Sequence, residues 1–133
     1  MKVFLDTNIL VSAFATRGLC ADVLRHVLAE HELVTAEVVL TELRRVLRMR
    51  FRMPPKVIAE IEALLREHEV IARPSKPPKV EVRDPDDVWV LASAISGKAD
   101  VLVTNDRDLL DVAAKSPIDI VDARGFWALM RKE

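Results

Sequence analysis

Hydrophobic and polar positions along this chain fall into two alternating kinds of run. Short apolar runs, several rich in β-branched residues, occupy residues 3–5, 32–35, 70–72, 101–103 and 118–121, and they read as buried strands. Between them, apolar residues recur at helical spacing. Leu19, Val23, Leu24, Val27 and Leu28 form one such face, and Val38, Val39, Leu43, Val46 and Leu47 form the next. Pro54 and Pro55 end that second helix and suit the first turn of another, with Val57, Ile58, Ile61, Leu64 and Leu65 inward. Asp84-Pro85-Asp86-Asp87 opens a helix through about Ser96, a further one is expected over 106–114, and the last begins after Asp122. Residues 73–79 hold three prolines and form an extended loop. Strand–helix alternation of this kind predicts an α/β fold: a three-layer α/β/α sandwich around a mainly parallel five-stranded sheet.

Composition narrows the class. A chain of 133 residues suffices for one domain with a real core and is short for two, so a single domain over 1–133 is expected. Half the residues are hydrophobic and 31% are charged, the balance of a soluble globular protein. No apolar run approaches the ~20 residues that cross a bilayer, so no membrane partner is expected. Asp6 comes too early to leave room for the apolar part of a signal peptide. Cys20 is the only cysteine, which excludes an internal disulfide and fits a reducing, cytoplasmic setting. The net charge of −1 makes no global case for nucleic-acid binding, so any such case rests on where the charges sit.

The acids sit where strands meet helices. Asp6 ends the first strand, Asp106 ends the fourth, Asp84, Asp86 and Asp87 open a helix, and Glu42 lies on the helix after the second strand. If the first and fourth strands are neighbours, strand order reverses between them and a crevice opens at their carboxyl ends. Helix capping explains the aspartates one at a time: Asp84 before Pro85 is a ready N-cap, and Asn105 or Asp106 suits the helix behind it, each cap worth about 1 kcal/mol. Glu42 is harder to explain. At about 100° per residue it falls inside the apolar arc, while Arg44, Arg45 and Arg48 fall outside. A buried carboxylate is costly unless paired or bound to metal; the bland alternative is an ion pair with Arg45. Together the acids favour a hard divalent cation, magnesium or manganese, with oxygen ligands. His26, His31 and His68 are dispersed and expected on exposed helix faces, against zinc, and Gly18, Gly97 and Gly125 form no phosphate-cradling loop.

Four stretches in order carry a resemblance: Phe4-Leu5-Asp6-Thr7-Asn8-Ile9-Leu10, Thr41-Glu42-Leu43, Asp84-Pro85-Asp86-Asp87 with Leu91-Ala92-Ser93-Ala94, and Ala99-Asp100-Val101-Leu102-Val103-Thr104-Asn105-Asp106-Arg107-Asp108-Leu109-Leu110. They resemble the successive motifs of a PIN-domain ribonuclease, in the prokaryotic branch of toxin–antitoxin toxins related to the VapC toxins, over essentially the whole chain. The resemblance implies an α/β/α sandwich and magnesium- or manganese-dependent cleavage of RNA, leaving 5′-phosphate and 3′-hydroxyl ends. It places the catalytic, metal-binding acids on Asp6, Glu42, Asp87 and Asp106, with Thr7, Asn8 and Thr104 in support and the acids Asp84 and Asp108 close by. The choice of Asp87 over Asp84 rests on its spacing to Leu91 and Ala92. Asn105 departs from the pattern, since many relatives have glycine there. The resemblance also implies a homodimer and an antitoxin protein that plugs the acidic groove. On this reading Asp6→Asn is expected to remove cleavage and keep thermal stability.

Arg44, Arg45 and Arg48, with Arg50 and Arg52, follow Glu42 directly. They are either a rim that grips RNA phosphates or a solvated face paired with Glu37 and its neighbours. Phe51, Phe126, Trp89 and Trp127 are candidates for base stacking, though Trp89 is expected against the sheet or in a subunit contact. Specificity is expected in the loops around residues 16–20 and 73–83. Other readings are a housekeeping RNA-processing nuclease, a non-catalytic PIN-like binding module, a haloacid-dehalogenase-like phosphatase and a phospho-acceptor receiver domain. The phosphatase needs an aspartate where Asn8 stands. The receiver needs paired acids after the first strand and a lysine on the last.

Overall fold

A computed structural model describes residues 1–132. The chain runs β1 (Lys2–Leu5), α1 (Thr7–Ala15), α2 (Leu19–Glu30), β2 (Glu32–Ala36), α3 (Glu37–Met49), α4 (Pro55–Leu65), β3 (Glu69–Ile71) and α5 (Pro85–Ser96). It continues through β4 (Val101–Val103), α6 (Arg107–Leu110), a 3-10 turn (Ala113–Lys115), β5 (Asp119–Val121) and α7 (Ala123–Arg131). The five strands form one parallel sheet in the order β3-β2-β1-β4-β5. In β1, Phe4 lies beside Val34 on one side and Leu102 on the other. Val3, Phe4 and Leu5 have no exposed surface, so helices cover both faces of the sheet. This is the expected α/β sandwich, and β1 and β4 are neighbours, the condition on which the crevice rested. The chain steps outward from β1 through β2 to β3, then crosses to β4 on the far side of β1. The order therefore reverses between β1 and β4, and their carboxyl ends open a crevice there.

Local details depart from the expected pattern for identifiable reasons. Helix α1 carries three consecutive buried residues, Ile9, Leu10 and Val11, so no helical period stands out from its sequence. The stretch expected as one helix over 106–114 breaks into α6 and the 3-10 turn. β3 begins one residue earlier than expected and β5 one residue later. Gly18, between α1 and α2, takes φ 142°, a conformation in which a side chain would be strained.

The histidines are neither dispersed nor on exposed helix faces. His26 and His31 meet edge to face with ring centroids 5.1 Å apart, and His31 Nε2 lies 3.2 Å from Met130 Sδ. The chain turns back after α2, which brings these two histidines against α7. His68 is also half-buried. Among the described residues, no helix is long and apolar enough to cross a membrane.

The end of α5 is pressed onto the sheet at Gly97, which is buried. A Cβ there would stand 2.9 Å from Ile71 Cγ1 on β3 and 3.0 Å from Val34 Cγ1 on β2. Overpacking of this kind costs about 1–3 kcal/mol. Gly97→Ala is expected to lower the urea midpoint accordingly at unchanged m; wild-type stability would mean that the sheet yields freely at this point.

Candidate active site

The buried strand β1 ends by delivering Asp6 to the crevice. The backbone N–H of Asp6 donates to Val103 O at 3.0 Å, extending the β1–β4 ladder by one residue. Its carboxylate is 3% exposed. Oδ1 accepts the Thr7 N–H at 2.7 Å and caps α1, while Oδ2 accepts the Thr104 hydroxyl at 2.7 Å and the Asn8 amide at 3.1 Å. Thr104 in turn accepts the Asp106 N–H at 2.9 Å, and Asn8 Oδ1 accepts the Asn105 N–H at 3.1 Å. Asn8 and Thr104 thus bond the Asp6 carboxylate through their side chains, while Thr7 meets it through its backbone N–H alone. Burial raises the Asp6 carboxyl above its ordinary range, opposed by the bonds from Thr104 and Thr7 and reinforced by the negative charge of Asp106. These bonds also revise the expected stability of Asp6→Asn. Each carboxylate oxygen faces a donor, so an amide placed there turns one acceptor into a donor and costs stability.

Two further acids arrive as helix caps. Asp84 Oδ1 accepts the Asp86 N–H at 2.9 Å at the start of α5, and Asp106 Oδ1 accepts the Asp108 N–H at 2.9 Å at the start of α6. Capping explains these geometries. Asp87 is different. It is 7% exposed, and its Oδ2 is buried with no hydrogen-bond partner. Burial pushes its carboxyl up to about 8, helped by a hydrogen bond shared with the Asp106 carboxyl and by the negative charges of Asp106, Asp6 and Asp84. Asp84, Asp87 and Asp108 each offer an oxygen within 4.8 Å of the other two. Asp84 and Asp108, expected close by, thus come within reach of Asp87. Arg83 holds Asp108 at 3.1 Å and Asp111 at 2.7 Å, a contact that nothing in the sequence pattern signalled.

Glu42 is not the buried, unexplained acid that the helical wheel implied. Its side chain is 45% exposed and takes two bonds from Arg45, at 2.6 and 3.2 Å. The ion pair at the edge of the apolar stripe is the arrangement found. Glu42 still lines the groove above the acids, a cavity of about 1140 Å³ shared by Asp6, Asp87 and Asp106 and walled by α1, α3 and α5.

Of the five arginines expected as a rim, Arg44 and Arg45 are paired with acids. Arg44 pairs with Glu62 at 3.2 Å, Arg45 with Glu42, and Arg48 is exposed on α3. Glu37 pairs with Arg66 at 2.6 Å rather than with the arginine run. Of that run, Arg50 lines the groove. Trp89 faces the groove with the Arg73 guanidinium 4.4 Å above its ring, and Phe51 lines the same groove at 41% exposed. Phe126 is fully buried, which removes it as a stacking surface. Trp127 lies half-buried beside His26.

The donor set fits a hard cation. It is made of carboxylate oxygens, one of them buried without a partner, and burial, reinforced by the neighbouring acids, leaves a proton on Asp87 where a cation would serve. Asp87 is the member common to both groupings: Asp84 and Asp108 come within 4.8 Å of it, and Asp106 and Asp6 act on its charge.

The chain matches the model of the family described as "PIN domain" over residues 2–108. Its fold is similar to that of VapBC2 from Rickettsia felis, solved bound to a DNA fragment from their promoter. That match has a TM-score of 0.64 and 19% identity over 92% of this chain and 98% of that one. It is also similar to VapBC-1 from nontypeable Haemophilus influenzae, with a TM-score of 0.62 and 20% identity over 93% and 99% of the two chains. At these identities the likeness concerns the fold. No curated protein matches the sequence.

The proton on Asp87 has a measurable consequence. Its carboxyl titrates near 3.8 when unfolded and at about 8 when folded. Between those values the folded state binds the extra proton, so this contribution to stability is present at low pH and is lost as pH rises through about 8. In EDTA, the melting temperature is expected to fall between pH 5 and 9, on the order of that titration range. Asp87→Asn is expected to flatten the fall, and an unchanged slope in the variant would place the raised carboxyl elsewhere.

Proposed function

The chain belongs to the PIN-domain family, and from that premise we propose that it is a magnesium- or manganese-dependent ribonuclease, the toxin of a toxin–antitoxin pair. The observation that carries this reading is Asp87 Oδ2, buried and partnerless among Asp6, Asp84 and Asp106. Asp6, Asp87 and Asp106 would hold the cation, with Asp84 and Asp108 in reach. Glu42, at the groove wall, would bind a second cation or orient the attacking water once released from Arg45. A bound divalent ion lowers the pKa of a ligated water and neutralises charge on the phosphate.

The chain's own residues supply positioning. Thr104 and Asn8 hold Asp6 Oδ2 in one orientation, so that carboxylate needs little rearrangement to act. Asp87 gives up its proton when it engages a cation, so activity should rise with pH toward about 8. Cleavage in line with the departing 3′ oxygen leaves a 5′-phosphate and a 3′-hydroxyl. Asn8 bonds to Asp6 and to Asn105, which makes it a strut rather than the general acid of a phosphatase. The two similar folds belong to VapBC assemblies, which supports an antitoxin partner. A homodimer, a cytoplasmic setting and one domain over 1–133 complete the reading, with Glu133 outside the described residues.

Asp87→Asn is the discriminating variant, because it removes a charged ligand while its amide can still donate to Asp106 as the protonated carboxyl does. Labelled single-stranded RNA incubated with magnesium should be cut by the wild-type protein, spared in EDTA, and spared by Asp87→Asn. The products should accept ligation at a 5′-phosphate. Undiminished cutting by a folded Asp87→Asn protein would overturn the assignment. Thr104→Val should lose about 1–3 kcal/mol of stability, since it strands the Asp106 N–H and releases Asp6.

A further inference from the structure

Beyond Ser12 from the acid groove lies a second cavity, of about 360 Å³. Ser12 lines both. The charged residues around this second cavity are Arg17, in the turn after α1, and Arg124, in the first turn of α7, with Asp122. Asp122 is already engaged, since its Oδ1 accepts the Gly125 N–H at 2.7 Å as the cap of α7. Arg17 and Arg124 are exposed and have no hydrogen-bond, ion-pair or ring partner among the described residues. Asn105 forms part of the wall, one residue before Asp106, with its side chain accepting the Ala123 N–H at 3.2 Å. The cavity and the acids are thus separated by single residues on two elements, Ser12 on α1 and Asn105 after β4.

The charges of the two cavities are opposed. The acid groove is lined by seven carboxylates against Arg50 and Arg73. Arg44 and Arg45, the obvious phosphate-binding candidates, are tied to Glu62 and Glu42. A polyanion whose linkage lies over the acids is repelled on that side and needs positive charge beside it. Two arginines with no acid partner at one small cavity meet that need, and guanidinium groups match the geometry of phosphate oxygens.

Resting on the ribonuclease reading above, we infer that the Arg17–Arg124 cavity holds a phosphate group of the RNA next to the cleaved linkage. The phosphate is an internal phosphodiester or a 5′-terminal phosphate, two sources of the same chemistry. The cavity anchors the strand and fixes which linkage reaches Asp87. Arg17 and Arg124 are positioning residues, outside the reacting atoms.

Cys20, the only cysteine of the chain, lines the same cavity and reports on its occupancy without any need for cleavage. The experiment uses the full chain carrying Asp87→Asn, with single-stranded RNA oligonucleotides bearing or lacking a 5′-phosphate. RNA is expected to slow iodoacetamide labelling of Cys20. Replacing Arg17 and Arg124 together by alanine should abolish that protection and weaken binding by about tenfold or more. It should also reduce the slope of log affinity against log salt by about 1. Arg131→Ala, the loss of one positive charge on α7 outside the cavity, should change none of these, whereas Arg124→Ala alone, an equal loss of charge, should weaken the protection. Protection that persists without the 5′-phosphate assigns an internal phosphodiester, and protection that requires it assigns the terminal group. In the cleaving protein, the double replacement should raise KM and spare kcat. RNA bound at full affinity with Cys20 still fully reactive would overturn the inference, as would an unaltered salt slope in the double variant. If the wild-type protein cut no RNA while Cys20 was protected, the ribonuclease reading would fall and the phosphate site would stand.

Discussion

The Thr104 hydroxyl donates to Asp6 Oδ2 at 2.7 Å and accepts the Asp106 N–H at 2.9 Å, in a position with no solvent exposure. One buried oxygen thereby ties the end of β1 to the end of β4, at the place where sheet order reverses. The rest of the site depends on this tie. It fixes the carboxylate of Asp6, and it sets the turn from which Asp106 caps α6. Asn8 and Asn105 repeat the connection one layer out, and Asn105 passes it on to the first residue of α7. The Asn105 side chain, which a glycine would lack, thereby anchors α7.

A site of this kind is electrostatically expensive. Helix starts at α1, α5 and α6 each present an N-terminal dipole to an acid, worth about 0.3–1 kcal/mol apiece. Asp87, pushed up to about 8, is held protonated despite them, so the helix ends are too weak to keep all the acids ionised. The protein accepts a neutral carboxyl with one unpartnered oxygen in its interior, where a hydrophobic residue would pack at lower cost. Local destabilisation at one position, surrounded by an otherwise apolar sheet core, is how a site prepared for a cation differs from a set of caps.

Much of this was legible in the sequence. The five strands and the cap at Asp84 follow from apolar runs and the Asp-Pro signal, while the adjacency of β1 and β4 stood only as a condition and the cap of α6 lay between Asn105 and Asp106. What failed to show were properties that depend on angle and distance. A helical wheel placed Glu42 inward, but the groove removes the wall it would have been buried against, and Arg45 reaches it from the next turn. The acid that truly resists a capping explanation is Asp87, which looked like an ordinary N3 residue because burial by neighbouring elements is invisible along one helix. His26 and His31 looked dispersed until the chain's turn after α2 set them edge to face against α7. Five arginines in nine positions allowed either a rim or an ion-paired face, and the pairing of Arg44 with Glu62 and Arg45 with Glu42 is decided by α4 packing on α3 and by rotamers.

The net charge of −1 is the sum of opposed local fields. An acidic groove and a cation-lined cavity meet at Ser12, and averaging over the chain hides both. The acids alone would repel the very polymer they are proposed to cut, so chemistry and binding have to be divided between two adjoining surfaces. The acidic surface can hold a cation and position a linkage, but on its own it cannot select a strand. Selection falls to residues outside the motifs, on the turn after α1 and the start of α7. These segments carry no acid of the set, so they are free to differ in charge and length without disturbing the Thr104–Asp6 tie that holds the reacting groups in place.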